Sequence, residues 1–115
     1  MTRDVGSRLG DLIARIEAIA VAEALMRRGE TEADRELAST AFDAILYDLM
    51  VIGEAVRALP DEVRNSEPDV PWAGIVGMRN VIAHEYFRIR VEVISATIDE
   101  PLALLGAACE RLRRT

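Results

Sequence analysis

Apolar side chains in this chain recur at alternating intervals of three and four, and no run alternates them with polar ones. Segments patterned in this way bury one face as helices and cannot do so as strands. The run Leu9, Leu12, Ile13, Ile16, Ile19 and Ala20 predicts a helix over about residues 4–28, with Arg27 and Arg28 in its last turn and Gly29 as a left-handed stop. Leu37, Ala41, Ile45, Leu49, Ile52, Val56 and Leu59 predict a second helix over about 32–59. Thr31 would cap it, Glu32, Asp34 and Glu36 would suit its positive end, and Pro60 would end it. At about 1.5 Å per residue each helix is roughly 40 Å long, and the short link between them implies an antiparallel hairpin.

Residues 60–71 contain three prolines and read as loop, with one helical turn at Asp61–Asn65. Pro71 suits the first turn of a third helix carrying Trp72, Ile75, Val76, Arg79, Ile82 and Ala83 and ending near Tyr86–Arg88. The last run, Val91, Ile94, Ile98, Leu102, Leu105, Ala108 and Leu112, is interrupted by Pro101. A proline there removes a backbone donor and predicts a kink or short break, with Asp99 capping a second half. The expectation is an all-α, up-and-down bundle of four main helices, the last kinked near Pro101, forming one domain over residues 1–115.

Composition narrows the function. Hydrophobic residues make up 50% of the chain and aromatics only 4%, so the core is aliphatic. The 14 basic residues are all Arg, and 20 acidic residues give a net charge of −6. That balance argues against a general polyanion binder and leaves room for a small basic site on an acidic body. A single Cys and a single His exclude an intramolecular disulfide, a cysteine zinc site and a multi-histidine metal site within one chain. No metal or other cofactor is expected. The first residues lack a signal-peptide layout, and no run approaches about 18 apolar residues, so a cytoplasmic protein is expected, not a membrane one.

One segment, Gly77 to Phe87, combines chemically capable side chains with a helical apolar face. On a helix, Asn80 and His84 stack one turn apart, and Arg79 and Tyr86 share a face. Arg88 and Arg90 follow, in the densest basic stretch outside the termini. Arg presents a fork of donors that matches phosphate, and His exchanges a proton near neutral pH. Together they suit RNA cleavage by its own 2′-hydroxyl: a base takes the 2′ proton, an acid protonates the leaving 5′ oxygen, and Arg holds the charged phosphorane. That reaction is best served by two proton-transfer groups, and this chain has one His. A twofold dimer with the site at its interface would supply both. Spacing alone leaves plainer readings open: a structural or surface His84, a Tyr86 packed with its hydroxyl in water, and Arg88 and Arg90 as a solvated face.

The wording of the segment adds to this. Pro71-Trp72, Ile75, Gly77-Met78-Arg79-Asn80 and Ile82-Ala83-His84-Glu85-Tyr86-Phe87 resemble the signature of HepT-like toxins, members of the HEPN superfamily of helical ribonucleases. Ile52-Gly53-Glu54-Ala55 and Leu59-Pro60 resemble that family's second long helix, and the likeness extends over about residues 9–112. The resemblance implies a homodimer that cuts RNA, tRNA or mRNA, without metal, in a cleft formed by both chains. It implies catalytic roles for Arg79 and His84 and a supporting one for Asn80. It also implies that an MntA-like nucleotidyltransferase, the antitoxin of a type VII toxin–antitoxin pair, transfers AMP to Tyr86. Each AMP would bring negative charge and bulk into a site built for RNA phosphate.

The family commonly has Asp where this chain has Arg90, which cannot cap the following helix and would make the site more basic, with Arg88 and Arg90 contacting RNA. Glu54 either supports Arg79 or His84 from across the bundle or is a polar edge position. Trp72 and Cys109 read as packing residues, and Arg111, Arg113 and Arg114 as charges matched to a helix C-terminus. Asp43, Tyr47 and Asp48 lack the Glu-x-x-His repeats of a di-iron bundle. The competing reading is a non-catalytic helical module that binds a nucleotide or docks a nucleotidyltransferase.

Overall fold

The structure is a computed structural model that describes residues 4–114, the side chains of residues 96 and 97 excepted. It is 85% helical, and no strand occurs among the described residues. Helix α1 spans Val5–Thr31, α2 Arg35–Arg57, α3 Asp61–Asn65, α4 Trp72–Glu85 and α5 Val91–Arg113, with a 3-10 turn at Tyr86–Arg88 joining the last two. The four long helices and the single turn at Asp61–Asn65 are those the periodicity predicts.

α1 and α2 form the central pair, α4 lies on the outer side of α2, and α5 lies on α1. Every packed pair runs antiparallel. Arg15 meets Asp48 and Gly29 meets Ala38 between α1 and α2. Gly53 meets Arg79 and Asp43 meets Tyr86 between α2 and the end of α4. Gly106 meets Ile16, and Gly10 meets Arg113, between α5 and α1. The up-and-down order follows.

The core is aliphatic, as the composition requires. Leu12, Ile52, Val56, Ile82, Leu105, Ala108 and Cys109 have no measurable exposure, and each large aliphatic so buried contributes roughly 1.5–3 kcal/mol. Its polar exception is Asp48, 5% exposed, which accepts a 2.8 Å hydrogen bond from Arg15 Nη1. A carboxylate taken out of water needs such a partner. Trp72 packs against the core and donates its Nε1 proton to the Glu67 carbonyl at 3.0 Å. Arg111 grips the Glu67 carboxylate from α5, so the 60–71 loop is tied to the end of the bundle. Arg113 and Arg114 pair with Glu110 instead. No helix among the described residues is long and apolar enough to cross a membrane.

Three local expectations are corrected. Helix α1 does not stop at Gly29 but continues to Thr31. A Cβ on Gly29 would lie 2.6 Å from the Ala38 nitrogen and 2.9 Å from the Asp34 oxygen, so this glycine lets α2 start against α1. The left-handed residue of the link is Ala33, with φ 57°. Thr31 is therefore inside α1, and Asp34 caps α2 by accepting from the Leu37 amide at 3.0 Å. Helix α5 runs unbroken through Pro101, so Asp99 lies within it and caps no second half. Arg90 stands at the α5 N-cap with extended backbone and no side-chain cap bond, as its lack of an acceptor dictates.

Along the α1–α5 seam, Glu23 faces Asp99 beside Arg27. Burial, then the Asp99 carboxylate, raise the Glu23 carboxyl above its usual value, and Arg27 opposes them. The folded state thus holds this proton more tightly than the unfolded chain. Its contribution is complete below the ordinary glutamate value and is lost as pH rises through the raised one. Glu23→Gln is expected to stabilise the fold at pH 7 by under about 1 kcal/mol, and the gain should vanish below about pH 4, as read from urea unfolding at both pH values.

Candidate active site on the outer side of α4

Helix α4 begins after Pro71, whose fixed φ and missing N–H suit a helix start. Its inward residues Ile75 and Ile82 are buried against α2. Arg79, one turn from each, sits at the edge of that contact. The α2 backbone passes close beneath it: a Cβ at Gly53 would lie 2.4 Å from Arg79 Cβ and 3.0 Å from its Cγ. Only glycine fits there, which explains the Gly53 of the Ile-Gly-Glu-Ala segment.

The next α2 residue, Glu54, places Oε1 2.9 Å from the buried Arg79 Nε. The N–H is not aimed along that line, so the two are joined as an ion pair and not by a directed hydrogen bond. On the other side Arg79 Nη1 donates to Asn80 Oδ1 at 3.1 Å. The guanidinium is held from two directions while 32% of the side chain stays exposed. Of the two placements weighed for Glu54, the structure has the contact to Arg79. Asn80 contacts Arg79 directly.

His84 stands exposed in the last turn of α4, one turn beyond Asn80 and on the side away from α2. It has no hydrogen-bond partner among the described residues. Tyr86 lies past the helix end, in the 3-10 turn, and turns back to α2, where its hydroxyl donates to Asp43 Oδ1 at 3.2 Å. That hydrogen bond, and then the carboxylate's charge, hold the phenol above its ordinary pKa. The structure thus gathers Arg79, Asn80 and Glu54 into one group and joins Tyr86 to Asp43 in another. Arg88 and Arg90 are exposed beyond them, Arg88 within 3.9 Å of Glu85. Asp43 is the site residue that sequence reasoning missed. It is 43 positions from Tyr86, and neither motif nor spacing marks it.

The outer surface around His84 is also apolar. Val81 is 53% exposed and Phe87 97%, its ring edge-on to Tyr86 at 5.3 Å. Among the described residues no three His, Cys, Asp or Glu side chains gather as metal ligands. The arrangement offers a fixed cation, an exposed imidazole and a tethered phenol on one open helix end.

Comparison with known proteins places the chain in a family. The family described as "Ribonuclease HepT-like" matches residues 10–112. A Thermococcus cleftensis protein named "Probable ribonuclease HepT" is 32% identical over 71 residues, covering 62% of this chain and 64% of that protein. A "Putative RNase" of Caldanaerobacter subterraneus subsp. tengcongensis is 46% identical over 55 residues, 48% of this chain and 49% of its own length. One of Methanocaldococcus jannaschii, with the same descriptive name, is 45% identical over 51 residues, 44% of this chain and 42% of its own. The matched stretches span less than two thirds of each of these relatives. No solved structure matches significantly. The chain belongs to the HepT-like ribonuclease family of the HEPN superfamily.

Gly53→Ala would force α4 off α2 at Arg79, because the obstructing atom is anchored to the backbone. The variant is expected to lose roughly 1–3 kcal/mol in denaturant unfolding. Gly77→Ala on the same helix, where a Cβ meets nothing within 4 Å, should not lose stability.

Proposed function

We propose that this chain is a metal-independent endoribonuclease, the toxin of a type VII toxin–antitoxin pair, acting in the cytoplasm as a homodimer of single-domain chains. The observation that carries the reading is the Arg79 guanidinium, fixed by Glu54 and Asn80, five residues before an exposed His84 on the same helix, in a chain of a ribonuclease family.

In this reading Arg79 binds the scissile phosphate and takes up the charge of the phosphorane. His84 moves the proton to or from a ribose oxygen. The substrate is RNA, tRNA or mRNA, with Arg88 and Arg90 along its backbone. Two such histidines would serve as base and acid, so the second comes from a second copy. The exposed Val81 and Phe87 beside His84 support a dimer through this end of α4. The off-switch is AMP transfer to Tyr86 by an MntA-like nucleotidyltransferase. Exposure of Tyr86 at the end of α4 supports it, since an attached nucleotide would add negative charge and bulk to the helix end that carries His84.

RNA cleavage in EDTA, using protein made without any nucleotidyltransferase, tests this. Wild type should cut bulk tRNA or mRNA, and Arg79→Ala and His84→Ala should each lower the rate by about 100-fold or more. Equal cleavage by all three would mark contamination and end the reading. No cleavage by wild type, with an intact mass showing Tyr86 unmodified, would favour a non-catalytic module.

A further inference from the structure

Asp43 is exposed on the α2 surface and makes no ion pair among the described residues. Its neighbours along α2 differ, because Asp48 is held by Arg15 and Glu54 by Arg79. Its carboxylate meets the Tyr86 hydroxyl, 3.2 Å away. A carboxylate with no cation of its own is thus aimed at the proton of a partly exposed phenol.

A neutral phenol is a poor nucleophile, and attack on phosphorus requires its proton to leave. The Asp43 carboxylate disfavours a preformed tyrosinate, since it would set two anions side by side. The proton must then depart during the attack, and the atom positioned to receive it is Asp43 Oδ1.

We propose that Asp43 orients the Tyr86 hydroxyl and accepts its proton when Tyr86 takes a nucleotidyl group. The inference rests on the reading that Tyr86 is the modified residue. In the step, the Tyr86 oxygen bonds the α-phosphorus of a nucleoside triphosphate, and the bond from that phosphorus to the bridging oxygen breaks. Pyrophosphate leaves with the electron pair, and the phenolic proton passes to Asp43 and on to solvent. The receiving chain thereby supplies the base for its own modification. The product loses the hydrogen bond to Asp43 and sets a phosphodiester anion against that carboxylate. Repulsion then turns the nucleotide away from α2.

The experiment follows the rate of AMP addition by intact mass, with an MntA-like nucleotidyltransferase and ATP, on wild type, Tyr86→Phe, Asp43→Asn, Asp43→Glu and Asp43→Ala. Asn keeps the size and a hydrogen-bond acceptor but takes no proton. Its rate should fall at least tenfold and climb about tenfold per pH unit, because the phenol must then ionise beforehand. Glu should restore part of the rate, which a merely structural role for Asp43 would not produce. Wild-type rate and pH profile in either Asn or Ala overturns the proposal. Should Asn fail to fold, Ala and Glu decide in the same way. An unlabelled wild type, or equal labelling of Tyr86→Phe, overturns the parent reading of Tyr86 and the role of Asp43 with it.

Discussion

At Gly53 the backbone of α2 runs beneath the Arg79 side chain with no Cβ between them. That close approach brings α4 near enough to bury Ile75 and Ile82. It also brings Glu54, the next residue, to the Arg79 Nε. Ten residues up the same helix, Asp43 reaches Tyr86. The α2 helix is therefore a ruler against which both polar groups of the site are set. A rigid helix positions side chains better than a loop, because its backbone dihedrals are fixed by its own hydrogen bonds. Gly29 plays the same part at the other end of the central pair, letting α2 start against α1.

Much of this was legible in the chain because the information is local. Three-four spacing located the four long helices, Pro60 and Pro71 bracketed the loop, and the apolar faces of α2 and α5 matched the buried residues; on α1 the predicted Ala20 is exposed, and Ala22 and Met26 are buried instead. What failed was reasoning that took a residue for its commonest use. Gly29 looked like a helix stop, but its missing side chain serves a contact with Ala38, nine residues on. Thr31 looked like a cap because Gly29 looked like an end. Pro101 looked like a kink or short break; no break occurs, because tertiary packing carries the helix through it, with Ile98, Leu102 and Leu105 buried on either side. At the site, the helical positions of Arg79, Asn80 and His84 followed from spacing. The approach of Glu54 to Arg79 was one of two readings, and the Asp43–Tyr86 contact was invisible. Its partners are set together only by the register of α4 on α2, which no short motif encodes.

The electrostatics are local in the same sense. The chain is acidic overall, and two Arg side chains of the site have carboxylates beside them: Glu54 by Arg79 and Glu85 by Arg88. Pairs this exposed contribute little to stability, typically under about 1 kcal/mol, so they orient the cations without consuming them. At physiological ionic strength the net charge is screened beyond about 8 Å. A phosphate arriving at α4 would therefore respond mainly to the guanidinium it meets, not to the body behind it.

The packing order of the helices has a consequence for motion. α1 and α2 are each covered by another helix, whereas α4 rests mainly on α2 and buries only Ile75 and Ile82. Local opening free energies follow the apolar area an element buries, so α4 can detach at a fraction of the cost of unfolding the central pair. In hydrogen exchange its amides should trade with solvent before those of α1 and α2. The polar groups aligned by α2 therefore sit on a unit that opens before the central pair, and anything that settles over α4 would slow that opening as well as cover the surface.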